Sequence, residues 1–240
     1  MVPEHHLSKK QRTKRIVLVF QLPVQVGRTT SVMNRIEGAL DKGFGGYTVA
    51  ANIEKSLACR KDLVLTEIVQ NASFCVADGF PVALAATVKS CRRTSRVNLP
   101  VEVLRLASRR QLSVYLLGGT AEVIRHAVSV VVASYGCQVV GYNDGFFLNI
   151  EDMVEEINRL SPRVVLVGMG TPKQELFVAQ AARKIPGTFF VPCGGALDIL
   201  AGSKRRAPVL IRKVGLEWLY RMSQEPKRII RLWNKLNRKQ

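Results

Sequence analysis

Short apolar runs alternate with helix-period stretches along most of this chain, and that alternation limits the fold more than any other feature. The strand-sized runs cover 16–20, 47–51, 73–76, 112–117, 138–141, 164–168 and 188–191. Between them lie segments with helical spacing at 31–40, 62–70, 81–89, 101–109, 121–134, 151–160 and 172–183. Strands that are apolar almost throughout are covered on both faces, and strand-then-helix order builds a parallel sheet. The reading is one α/β domain over residues 16–203, preceded by a basic arm at 1–15 and followed by a basic helical appendage at 204–240.

The net charge is +18, and its distribution matters more than its size. Residues 204–240 carry +10 and residues 1–15 carry +4, which leaves only +4 for the body. Basic ends around a near-neutral body suit an anionic lipid surface, whereas a nucleic-acid-binding fold spreads cations over its face. In 226–240, Ile229, Leu232, Trp233 and Leu236 fall on one helical face and Arg228, Arg231, Lys235 and Arg238 on the other. Such a helix lies in a headgroup layer or docks on its own protein, and a contact with a second copy stays open. The rival reading is a basic nucleic-acid-binding α/β protein, although neither a helix-turn-helix nor an aromatic RNA-binding signature is visible.

The five cysteines form no Cys-x-x-Cys pair, which suits reduced thiols in the cytoplasm and argues against a zinc site. His5, His6 and His126 form no ligand constellation, so no metal and no cofactor is expected. The first apolar run is too short for a secretory leader, and none approaches the ~20 residues of a membrane span.

In open α/β sheets, ligands bind beyond the carboxyl ends of the strands. Five strand ends here carry glycine with polar residues: Asp78-Gly79, Gly118-Gly119, Asp144-Gly145, Gly168 through Glu175, and Gly194-Gly195 through Asp198. Gly118-Gly119 either admits a phosphate to backbone N–H groups or merely makes a tight turn. There is no Gly-x-Gly-x-x-Gly dinucleotide fingerprint and no Walker loop. Thr171 reads as a helix N-cap with Pro172 at the first helical position, placing Lys173 and Gln174 at the positive helix end. Asp78 is either a proton acceptor for an attacking hydroxyl or a turn former, and Asp144 and Asp198 share that ambiguity. Asn52 either bonds a sugar or caps the helix that follows.

Together these pieces resemble the WecG/TagA/CpsF family of bacterial glycosyltransferases over about residues 45–233. The most specific are Ala77-Asp78-Gly79, Leu117-Gly118-Gly119, Asp144-Gly145-Phe146-Phe147, Pro172-Lys173-Gln174-Glu175 after Gly170, Gly194-Gly195 with Asp198, and Lys204 through Arg221. The resemblance implies a Rossmann-like, mostly parallel sheet with flanking helices and a membrane-touching appendage that completes the site. It implies an inverting, metal-independent transfer from a UDP-sugar to a polyprenyl-diphosphate-linked glycan, peripheral on the inner face of the plasma membrane. By the same resemblance Asp78 is the general base and Asn52 belongs to the site. The glycine-rich and Pro-Lys-Gln-Glu segments line the nucleotide-sugar pocket, and Arg206, Arg212 and Arg221 lie near the diphosphate. Two departures border the sugar or acceptor region. Ala50 replaces the family's usual threonine, and Leu99 and Val101 replace its usual glycine and aspartate.

Overall fold

The computed structural model describes residues 16–204, together with Pro208 and Tyr220. The chain opens with a hairpin, β1 (Ile16–Val19) and β2 (Leu22–Gln25), followed by α1 (Thr29–Asp41). Then come β3 (Gly46–Ala51), α2 (Ile53–Cys59) and α3 (Leu63–Gln70). After β4 (Phe74–Ala77), α4 (Phe80–Ser90) and α5 (Leu99–Arg109) form a long crossover. The rest is β5 (Ser113–Gly118), α6 (Ala121–Tyr135), β6 (Gln138–Asn143), α7 (Ile150–Leu160), β7 (Val164–Gly168), α8 (Lys173–Lys184), β8 (Phe189–Pro192) and α9 (Ala196–Leu200).

Six strands form one all-parallel sheet in the order β4-β3-β8-β7-β5-β6. Successive strand residues face opposite ways, so each strand feeds two cores. Val49, Tyr115, Leu117, Val165, Val167 and Phe190 pack with α3, α4, α7 and α8 on one face. Phe74, Val76, Leu116, Leu166, Phe189 and Val191 pack with α1, α5 and α6 on the other. The α/β reading therefore holds, with helices on both sides of a parallel sheet.

The run at 16–20 differs from expectation. It does not join the main sheet but pairs with β2 as an antiparallel two-stranded hairpin. The cause is local: Phe20 and Gln21 both have positive φ, +49° and +68°, and turn the chain within two residues. Val19, Leu22 and Val24 then bury completely against the body. The hairpin is pinned across two helices. Ser56 Oγ of α2 donates to the Phe20 carbonyl at 2.7 Å, and Lys89 Nζ of α4 donates to the Leu18 carbonyl at 3.0 Å.

Strand order switches between β5, whose successor β6 lies on one side, and β7, whose successor β8 lies on the other, next to β3. At that seam Gly118 pairs with Gly168. Gly118 has φ +125°, and a Cβ there would collide with the Gly168 carbonyl. Glycine is needed at this point for both conformation and close approach.

Candidate active site

A cavity of about 430 Å³ opens where the carboxyl ends of β3, β4, β7 and β8 converge. Asn52 and Asp78 line one side, Gly170 and Gln174 another, and Gly194, Gly195 and Asp198 a third. Residues 97–100, which run into the first turn of α5, supply a further wall. Ala50 and Leu99, the two departures that border the cavity, both face it.

Asp78 is half-buried at the end of β4, and its backbone N–H donates to the Ala51 carbonyl at 2.8 Å. It does not cap the following helix, because Gly79 occupies the N-cap position of α4. Of the two roles left open by the sequence, the structure shows the cap for Asn52. Its Oδ1 accepts from Lys55 N–H at 2.8 Å as the N-cap of α2, while its Nδ2 approaches Asp78 Oδ2 at 3.4 Å from inside the cavity.

The Pro-Lys-Gln-Glu segment departs from expectation at its first residues. Thr171 is not the cap. Pro172 holds the N-cap position of α8 without a side-chain cap bond, and the helix begins at Lys173. Thr171 Oγ1 instead points to Glu175 Oε1, at 3.4 Å. Gln174 is buried, with Oε1 accepting from Gly170 N–H at 3.2 Å and from Gly194 N–H at 3.0 Å. One amide oxygen thus holds the loops after β7 and β8 together. Glu175 is fully buried and pairs with Lys55 at 2.6 Å.

The remaining glycine cluster forms an adjoining shelf beyond β7. Gly119 N–H donates to the Gly168 carbonyl at 3.3 Å, and Gly145 N–H donates to the Gly119 carbonyl at 3.0 Å. Lys173 extends over this shelf, donating to the Gly145 carbonyl at 2.7 Å with its ammonium 5.0 Å from the Phe147 ring centroid. Asp144 accepts from Phe146 N–H at 2.9 Å and so acts as a turn former. Asp198 meets Lys204 at 3.6 Å on the cavity wall. Arg206, Arg212 and Arg221 lie outside the described residues, as does the amphipathic stretch 226–240. Among the described residues, no group of three or more His, Cys, Asp or Glu side chains is placed to hold a metal ion.

Lys55 was not legible as a site residue. In the sequence it is one lysine in a short helix, and only its partner far along the chain explains its burial.

A polar cavity at the carboxyl edge of a parallel sheet wound on both faces, beside a seam of glycines, is where proteins of this build bind their ligands. The profile of the glycosyl transferase WecG/TagA/CpsF family matches residues 17–237. The chain belongs to that family and is a glycosyltransferase of cell-surface glycan synthesis.

Proposed function

We propose that this chain is an inverting, metal-independent hexosyltransferase that uses a UDP-sugar and a polyprenyl-diphosphate-linked acceptor, with Asp78 as general base. The acceptor oxygen attacks the anomeric carbon, the carbon–oxygen bond to the β-phosphate breaks, and UDP leaves with the electron pair. Asp78 takes the hydroxyl proton, a contribution of about 10²–10⁴ in rate. The observation that carries this reading is the Asp78 carboxylate, which lines the cavity without a capping duty and lies 3.4 Å from Asn52 Nδ2.

Charge on the departing diphosphate needs an opposing field. In this reading Arg206, Arg212 and Arg221 supply it, since planar guanidinium groups grip phosphate oxygens in pairs. Ala50 and Leu99 face the cavity and bear on which sugar it accepts.

The acceptor is carried by a membrane lipid, and α4 suits a membrane-facing role. Its core side holds Val82, Ala83 and Ala86, while Phe80, Leu84 and Val88 form an exposed stripe on the opposite side. A helix that is apolar on its outward face needs a cover. From Gly79 to Val101 the chain has no acidic residue, while Lys89, Arg92, Arg93 and Arg96 are cationic. Apolar stripe and cations together fit an anionic bilayer, with the stripe starting two residues beyond Asp78.

Asp78→Asn tests the chemistry. It should bind UDP and melt as the parent does, yet lose about 10²–10⁴ in turnover, and EDTA should leave the parent rate intact. Parent-like turnover in the Asn variant would remove Asp78 from the role.

A further inference from the structure

The Lys55–Glu175 pair is the most buried charge in the described structure, with the two side chains 3% and 0% exposed. It joins residues 120 positions apart. Stability alone does not account for it, because a buried ion pair at best breaks even against well-packed apolar side chains. The pattern of bonds on the carboxylate is also lopsided. Oε1 accepts from Lys55 Nζ at 2.6 Å and from Gln174 Nε2 at 2.8 Å, with Thr171 Oγ1 at 3.4 Å. Oε2 is buried and has no partner. Buried acceptors are ordinarily hydrogen-bonded, so an orphaned Oε2 beside a crowded Oε1 calls for an explanation. Here three donors are gathered at one point.

Those donors belong to the two sides of the cavity. Lys55 sits in the first turn of α2, and its backbone N–H is held by Asn52, which reaches Asp78. Gln174 sits in the first turn of α8 and holds Gly170 and Gly194. An unbroken run of contacts therefore passes along the cavity lining from Asp78 through Asn52 and Lys55, behind it at Glu175, and back through Gln174 to the two glycine loops. We propose that Lys55 and Glu175 are positioning residues, whose ion pair sets the distance between the Asn52–Asp78 side and the loops after β7 and β8. Neither touches the reacting atoms, and both act by fixing where Asp78 stands relative to the bound donor. The inference rests on the reading of Asp78 as the base, and the experiment below separates the two.

The full chain carrying Lys55→Met with Glu175→Gln removes both charges while keeping side-chain length, so no buried charge is left unpaired. The expected result is a melting temperature close to the parent's and one UDP bound per chain, with affinity within about threefold. The turnover number should fall about 10–100-fold, because small misplacements of a reacting group are that costly. Adding Asp78→Asn to this double variant should cost no more than Asp78→Asn alone, since the pair acts through Asp78. A folded double variant with turnover within about twofold of the parent overturns the proposal, leaving the pair a structural element only. A defect confined to UDP affinity also overturns it and makes Lys55 a direct ligand of the diphosphate. If Asp78→Asn itself keeps full turnover, the base assignment fails instead, and a turnover loss in the double variant then belongs to another group. Should the double variant not fold, Lys55→Gln with Glu175→Gln, which also leaves no charge unpaired, is read in the same way at a temperature where circular dichroism shows it native.

Discussion

Cys193 borders the cavity, yet burial pushes its thiol up to about 12, with the Asp198 carboxylate acting in the same direction. Burial raises Cys75 to about 12 as well, and it also raises Cys59 and Cys137. Cys91 stands exposed at the end of α4. Thiolate is the species that alkylates, so burial and a raised pKa protect those four, while Cys91 is selected by its exposure. A maleimide at neutral pH should label Cys91 and spare the other four, as read by peptide mapping. Labelling of Cys193 at a comparable rate would mean that the cavity wall opens. At this scale the sequence carried part of the site. Asp78, Asn52 and the glycines announce themselves by standing beyond strand ends, where an open α/β sheet binds its ligands, although each type also serves turns and caps. Lys55 does not announce itself: it looks like an ordinary helix charge, and only long-range packing couples it to Glu175. Gln174 and Glu175 stand out through the family resemblance as pocket residues, but their burial does not: Gln174 is closed in by the two glycine loops and Glu175 by Lys55.

Helices α1 and α5 are clasped by charge at their ends. Glu37 accepts from Arg109 at 3.0 Å and from Arg110 at 2.7 Å, and Arg110 also reaches Asp41 at 2.8 Å. These arginines hold the Glu37 carboxyl below its ordinary range, Arg110 most strongly. A group with a depressed folded-state pKa contributes its stability above the unfolded value and loses it as pH falls through the folded one. The gap in melting temperature between parent and Glu37→Gln should therefore be present at pH 7 and close below about pH 4, the usual carboxylate region. A gap independent of pH would show that the clasp is steric. The clasp is exposed and its effect should also shrink with salt. Among the elements, the six strands of the main sheet lie within two residues of their expected ranges, because buried parallel strands are apolar along their whole length. The hairpin was not legible. Its turn is Phe20-Gln21, without the Asn-Gly or Asp-Gly that marks such turns, and Pro23 in β2 masks the second strand.

For the molecule as a whole, charge and apolar surface point the same way. Most of the net +18 lies at the two ends of the chain, and α4 offers an uncharged stripe beside Asp78. Leu84→Ser with Val88→Ser should reduce flotation with vesicles containing anionic lipid, while UDP affinity stays at the parent value. Higher salt should weaken the flotation of both proteins, since the cations act through a screened field. A double variant that floats as well as the parent but sediments as a smaller species would assign the stripe to a second copy instead. Among the described residues no helix is long and apolar enough to cross a bilayer.

The small opening hairpin has a further effect on this arrangement. Its two carbonyls, at Leu18 and Phe20, are gripped by α4 and α2, the helices that start just after Asp78 and Asn52. It works as a buckle worn behind Asp78 and Asn52. Trimming the chain past Phe20 would thus undo both of its fastenings at once, without altering a single residue that lines the cavity.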